Sequence, residues 1–336
     1  MQSRAPRVNT FLTRHWFVMA LPLSVALAFA MPGVGASGGP LRSEWTTRLG
    51  VALIFLFQGL LLPTSALRSG TARWPLHTLV QGFTFVGFPA LGLALDALAG
   101  RFLTPDLRLG FLFLCVLPST VSSSVVMTSL AGGNTVGAIF NAALSNILGV
   151  FVTPLWVAWL MKSGGTQPDL GAVVREIAVL LILPLVVGQG LRWKLAGWAD
   201  ARKRSLGNAS SVLILFLVYA AFCNSVQSRF WNALGSGVLW SASAGVGLIF
   251  VLVMALVFGA ARVARLDRGD RIAAAFCAPQ KTIAAGIPLA KAIFGSHPGL
   301  GLILLPALLY HPLQLIVCGL LADRWGRETN VPKEDR

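Results

Sequence analysis

Apolar segments about twenty residues long follow one another down almost the whole chain, separated by short polar connections. They fall at approximately 16–34, 48–67, 75–98, 108–131, 134–160, 172–191, 208–226, 236–261, 270–294 and 299–322. A helix needs about 20 residues to cross the hydrocarbon of a bilayer, so each segment predicts one crossing. Three stretches carry no Asp, Glu, Lys or Arg at all: Leu109 to Met161, Phe230 to Ala261 and Ala292 to Ala322. The first of these is long enough for two passes. Turn formers fill the connections, as in Ala131-Gly132-Gly133-Asn134 after the fourth segment. None is long enough for a soluble domain. The pattern predicts an all-α polytopic membrane protein with ten transmembrane helices.

Composition changes the picture little and excludes much. Hydrophobic residues make up 55% of the 336 and charged residues 12%, about half the charge of an ordinary soluble domain. Soluble folds and disordered tails are excluded, and the lipid bilayer is the expected surrounding. The net charge of +15 would suggest nucleic acid in a soluble protein; here it reads as topology, with no nucleic acid as partner. Eighteen Lys and Arg fall on the side of the N-terminus and eight on the other, with Lys281 on neither. Basic loops face the cytoplasm, which predicts an inner (cytoplasmic) membrane protein with both termini cytoplasmic. Arg4, Arg7 and Arg14 ahead of an apolar run imitate a signal peptide, but that run continues past Pro32 without a charge until Arg42. A retained first helix is expected. Trp16, Trp74, Trp156, Trp159 and Trp325 lie at predicted helix ends and read as an interfacial belt. Cys115, Cys223, Cys277 and Cys318 each stand alone in an apolar segment and read as small buried residues.

Ten helices divide into five and five, 1–161 and 162–336, and an odd number per half inverts the second half in the membrane. The fourth helix is interrupted at Leu117-Pro118-Ser119-Thr120 and the ninth at Ala278-Pro279-Gln280-Lys281-Thr282. Proline lacks the amide hydrogen and clashes with the preceding turn, so both helices should be discontinuous near mid-membrane. Paired breaks in matching positions of two halves point to a transporter's binding site.

Polar residues gather at those breaks. Ser119, Thr120, Ser122, Ser123, Ser124 and Thr128 follow the first proline, Asn141 and Ser145 share a face of the next helix, and Gln280, Lys281 and Thr282 follow the second proline. Gln81 in the third helix reads either as lining the same cavity or as glue between helices. His311 and Gln314, three apart, read as a core pair or a proton relay. Lys281 is the sharpest feature, because an ammonium at mid-bilayer costs roughly 2.5–3.5 kcal/mol or more and no acid lies in the neighbouring helices. It would serve as counter-charge to an anionic substrate, as a resident cation replacing a bound ion, or as a titrating group.

The stretch Leu117-Pro-Ser-Thr-Val-Ser-Ser-Ser-Val-Val-Met-Thr-Ser-Leu-Ala-Gly-Gly-Asn134, with Phe140-Asn-Ala-Ala143, Val152-Thr-Pro154, Phe55-Leu-Phe-Gln-Gly-Leu-Leu-Leu-Pro63 and Phe276-Cys-Ala-Pro-Gln-Lys-Thr-Ile-Ala-Ala-Gly-Ile-Pro288, resembles the bile acid:sodium symporter superfamily. The last two of these stretches together resemble the bacterial SBF-like branch, relatives of the seventh member of solute carrier family 10. The resemblance covers about residues 10–325. It implies two inverted five-helix repeats, a panel from about 10–70 and 170–228, and a core from about 71–162 and 229–325. Substrate would bind where helices four and nine cross, with sodium as a bound ion behind them. Carried over residue by residue, the sodium ligands are Ser124 and Gln280. The family's asparagine falls on Val125, two hydroxyl ligands fall on Ala138 and Ala142, and the shared acidic ligand falls on Phe276. That last loss, together with Lys281, opposes a two-sodium mechanism.

The expected function is secondary active transport of a small organic anion, with sodium or a proton as coupling ion, or uncoupled transport with Lys281 replacing sodium. A non-transporting membrane regulator of ion homeostasis is the competing class. An arsenite exporter of the same superfamily would need a cysteine where Thr120 stands. An enzyme would need clustered carboxylates or a Ser/His pairing, and the four histidines are scattered.

Overall fold

A computed structural model describes residues 7–62, 73–163, 175, 178–227, 237–295 and 297–330, and among them every regular element is helical. They are α1 (Arg7–Ala30), α2 (Pro32–Gly35), α3 (Ser43–Leu61), α4 (Trp74–Phe102), α5 (Pro105–Val116), α6 (Ser122–Leu130), α7 (Thr135–Ser163), α8 (Ala178–Ala201), α9 (Lys203–Gln227), α10 (Gly237–Val263), α11 (Arg268–Cys277), α12 (Ile283–Phe294) and α13 (Leu300–Asn330). Six are long and apolar enough to cross a membrane: α4, α7, α8, α9, α10 and α13. Their outward faces carry exposed apolar side chains such as Val86, Leu155, Val186, Val251 and Leu320, as a lipid solvent allows.

Hydropathy alone draws the segments 108–131 and 270–294 as continuous, and each is two helices. Pro105–Val116 gives way to extended backbone at Leu117 (φ −67°, ψ 148°) before α6 begins at Ser122. Arg268–Cys277 ends before Pro279, and α12 restarts after Thr282, whose hydroxyl accepts the Ala284 amide at 3.2 Å. Ends differ elsewhere too. The sixth segment is expected to stop at 191; the helix passes Arg192 and Lys194, kinks at Leu195 (φ −109°, ψ 15°), and a last helical stretch reaches Ala201. Arg192 bonds Leu60 O at 2.5 Å and Asp200 at 2.9 Å, which ties the two sides of the kink together.

Two of the tryptophans expected at the interface are packing residues. The Trp156 indole donates to Phe85 O at 3.0 Å, and Trp325 meets Phe258 edge-on and Phe276 at a tilt. Trp74 and Trp159 are exposed. All four cysteines are buried and unpaired.

α3 and α8 make the closest pairing. A Cβ on Gly59 would overlap Leu185 O, and one on Gly188 would overlap Leu56 O, so this seam depends on two glycines meeting. α9 lies against α1 and α3, and α5 packs on α13, α6 on α11, and α11 on α7. α12 meets both α3 and α9.

α4 holds an irregularity that matters below. Pro89 has no amide hydrogen, and Phe88 N bonds five residues back to Phe83 O across a π-turn at Phe83–Gly87. The carbonyls of Thr84 and Phe85 are thereby released from the helix. Such turns often mark functional positions.

Candidate functional site

The two helix breaks lie against each other in the buried interior. Thr282 N donates to Pro118 O at 3.0 Å, and the Ser119 hydroxyl donates to Cys277 O at 2.5 Å. Main-chain groups freed at membrane depth must find partners inside the protein, and the sequence supplies them one by one.

At the first break, Thr153 Oγ1 donates to Val116 O at 2.7 Å, Asn146 Nδ2 donates to Ser119 O at 3.0 Å, and Ser119 N donates to Ser145 Oγ at 2.9 Å. Gly149 passes so close to this loop that a Cβ would sit 2.6 Å from the Pro118 ring. At the second break, Tyr310 OH donates to Pro279 O at 2.7 Å. The Gln314 amide grips Lys281 from both sides, accepting from its N–H at 2.8 Å and donating to its carbonyl at 2.9 Å.

Lys281 closes the arrangement. Its side chain is 1% exposed. An ammonium carries three donors, and Nζ meets three main-chain carbonyls: Leu117 O at 2.7 Å, Cys115 O at 3.1 Å and Thr84 O at 3.2 Å. The Phe88 ring centroid lies 4.0 Å from Nζ, an added cation–π contact. Two carbonyls come from the first break and the third from the π-turn of α4. Three pieces of chain thus present oxygen to one fixed cation, as they would to a metal ion.

Gln280 points the other way. Its Oε1 accepts from Thr120 Oγ1 at 2.8 Å and Ser123 Oγ at 2.6 Å, and the two hydroxyls are 2.7 Å apart. Its Nε2 meets Met127 Sδ at 3.2 Å. Ser124 and Thr128 are buried; Ser124 donates back to Thr120 O in the break at 2.6 Å, and Thr128 donates to Ser124 O within its own helix at 2.7 Å. The side chain of Ser122 lies outside the described residues.

Asn141 stands apart from this group. Its Nδ2 meets His77 Nδ1 at 2.9 Å, and Gln81 Nε2 bonds the Asn141 carbonyl at 2.9 Å and its side-chain oxygen at 3.1 Å. Gln81 therefore joins α4 to α7, with its own Oε1 buried and unpaired. His311 Nδ1 lies 3.0 Å from Gln314 Nε2, and its ring meets Phe17 edge-on at 6.3 Å.

The two residues carried over as sodium ligands, Ser124 and Gln280, both have partners within the protein. Hard cations take about six oxygen ligands, with carboxylates prominent among them. Ser124 offers one hydroxyl, and Gln280 offers a carbonyl that already receives two donors. Phe276, at the acidic position, is buried with its ring centroid 5.3 Å from that of Trp325. Among the described residues no group of three or more His, Cys, Asp or Glu comes together.

Residue reading singled out Lys281, Gln280, Ser119 and Ser145, and the structure brings them to one crossing. It missed Thr153, Tyr310, Thr84 and Phe88. Tyr310 had a signal, as one of only two tyrosines in the chain, and Pro89 announced the π-turn.

The SBF-like CPA transporter family matches residues 15–327. An uncharacterized protein of Pseudomonas aeruginosa is 38% identical over 315 residues, covering 93% of this chain and 92% of its own. Sodium/bile acid cotransporter 7 of Danio rerio is 35% identical over 318 residues, 92% of each chain. The protein of that name in Rattus norvegicus is 32% identical over 316 residues, 92% of this chain and 91% of its own.

Proposed function

Because this chain belongs to the SBF-like CPA transporter family, we propose that it is a secondary transporter in which Lys281 permanently holds the place of a coupling cation. The observation that carries this reading is the ammonium on Leu117 O, Cys115 O and Thr84 O. All three of its donors are used inside the protein, which speaks against a direct contact with substrate and for a resident charge. The chain crosses the inner membrane ten times, with both termini cytoplasmic, as inverted repeats 1–161 and 162–336. α5–α6 and α11–α12 are the two broken crossings. The core, about 71–162 and 229–325, moves against the panel, about 10–70 and 170–228, so that the site opens to one side at a time.

The substrate is a small organic anion. Thr120, Ser123, Gln280 and Thr282 form the polar surface nearest to it, and the N-terminal ends of α6 and α12 favour negative charge. Ser119, Ser145, Asn141 and Gln81 hold the crossing in shape. With the cation position filled, a proton is the coupling ion that remains.

The test is thermal unfolding of detergent-purified protein in sodium, potassium and choline chloride at matched ionic strength. Wild type should unfold at one temperature in all three. Lys281→Ala should unfold earlier and be raised selectively by sodium, because the substitution leaves three carbonyls facing a vacated cation position. A ligand at 100 times its dissociation constant adds about 2.7 kcal/mol, so occupancy would be visible. A sodium-specific rise in wild type, lost in Ser124→Ala or Gln280→Ala, overturns the reading. Counterflow of labelled carboxylates in proteoliposomes separates a transporter from a regulator, which would move none.

A further inference from the structure

The outward side of α8 ends in a basic bend that has no part in the crossing. Leu183, Val187 and Leu191 are four apart and exposed along one face of the helix, as a side turned to acyl chains allows. Beyond Leu191 the chain bends twice. Helical dihedrals fail at Leu195 and again at Arg202 (φ −108°, ψ 13°), where α8 stops and α9 follows at once. In a straight helix Arg192 and Asp200 would stand about 12 Å apart along the axis, and their ion pair at 2.9 Å braces the turn between them.

The bend carries two kinds of exposed side chain. Trp193 is 95% exposed, and Leu195 and Trp198 are exposed near it. Lys194, Arg202, Lys203 and Arg204 are exposed as well. The only acid between 191 and 211 is Asp200, which Arg192 takes. Among the described residues Lys194, Lys203 and Arg204 have no hydrogen bond or ion pair, and Arg202 has the Trp198 ring alone, 5.0 Å from its guanidinium carbon. Other cations on the side of the termini have acids: Arg73 has Asp267, Arg324 has Glu328 and Arg327 has Asp323. Topology accounts for positive charge at this end of α8. It does not account for an open indole set among unpaired cations.

Indoles settle at the level of the headgroups, and cations beside an apolar face attract anionic lipid. The apolar strip of α8 runs into the bend without a break, so the medium that covers the strip also reaches the bend. We propose that this bend binds anionic phospholipid of the surrounding bilayer, with the lipid phosphate at Lys194, Lys203 and Arg204 and the upper acyl chain against Trp193 and Leu191. Lipid bound there fixes the end of α8 at one depth, and α8 is itself seated on α3 through Gly59 and Gly188. The leaflet, the one facing the termini, follows from the topology read above; the binding does not depend on it.

The experiment is reconstitution of the full chain in phosphatidylcholine vesicles holding increasing fractions of brominated phosphatidylglycerol, followed by tryptophan quenching, with brominated phosphatidylcholine in parallel. Bromine quenches an indole only near contact, so the quenching that Trp193→Phe removes reports the bend. That component should be half-quenched at a phosphatidylglycerol fraction at least tenfold below that for phosphatidylcholine. The preference should fall about fivefold in Lys203→Gln and in Arg204→Gln, the worth of one surface cation. It should vanish when Lys194→Gln, Lys203→Gln and Arg204→Gln are combined, and persist in Lys203→Arg. Equal half-quenching by the two lipids, a preference unchanged in the triple variant, or no loss of quenching in Trp193→Phe overturns the proposal. An equal fall in Arg327→Gln, whose cation already has an acid, also overturns it, by assigning the effect to net charge. Relief of the quenching by soluble glycerol phosphate does so too, by making the bend a site for free anions. None of these outcomes bears on the cation response of Lys281→Ala, so the two readings fail separately.

Discussion

The two helix breaks share a proline and a place at the crossing, yet they are fastened by different means. The first break, after Val116, hands its carbonyls to three side chains from two other places: Thr153 and Asn146 on α7, and Lys281 from the opposite break. The second, after Cys277, relies on one helix, α13, through Tyr310 and Gln314, with Ser119 as the return contact. One break thus collects oxygen around a cation, and the other contributes that cation. Freed main-chain groups in hydrocarbon must be satisfied in either case, and charge complementarity is the cheaper solution where several carbonyls converge. The asymmetry also locates the fixed charge on one half of the molecule only.

The largest expected effect comes from removing the shared group. Lys281→Met keeps an apolar stem of similar length but deletes the ammonium, leaving the carbonyls of Thr84, Cys115 and Leu117 without their donor. Each buried polar group left unpaired costs about 1–3 kcal/mol. Relief of the buried charge, roughly 2.5–3.5 kcal/mol on the mildest scale, offsets part of the loss. A net destabilisation of about 3 kcal/mol is expected, read as an earlier unfolding transition and as faster amide exchange at both breaks. Exchange rising at the second break alone would mean that the lysine does not hold the first one.

Much of this was legible in the sequence, and the divide is physical. Proline announces a break whatever surrounds it, so Pro118 and Pro279 placed both interruptions to within a turn. An uncompensated lysine in an apolar run is conspicuous by its cost, so Lys281 stood out as well. Its partners did not, because main-chain carbonyls have no residue identity and are set by where the chain bends. Thr153 and Tyr310 read as ordinary helix residues, since only the packing of α7 and α13 aims them at a broken neighbour.

An intermediate effect should follow from loosening the second break by itself. Gln314→Leu conserves much of the volume and removes both the acceptor for Lys281 N and the donor to Lys281 O. His311 Nδ1 loses its partner as well. Two orphaned main-chain groups predict a loss of about 2 kcal/mol, with exchange rising around 278–282 and unchanged around 117–121. Equal loosening of both segments would show that the breaks unfold as one unit, and the comparison between them would collapse into a single structure.

The smallest effect tests whether the first break shares its load. Thr153→Val is nearly isosteric and deletes one donor, to Val116 O, a carbonyl one residue from two that Lys281 holds. A single hydrogen bond is worth about 1 kcal/mol net. The loss should stay near that value because the neighbouring carbonyls keep the ammonium and the loop stays anchored through Asn146. The transition should move by roughly 2 °C, taking the scale for larger domains, with no new dependence on sodium, since the cation position remains filled. If Thr153→Val instead costs as much as Lys281→Met, the hydroxyl and not the ammonium sets the geometry of the first break. The lysine would then be a passenger on a loop fixed by α7, and its claim to stand in for a coupling ion would fall with it.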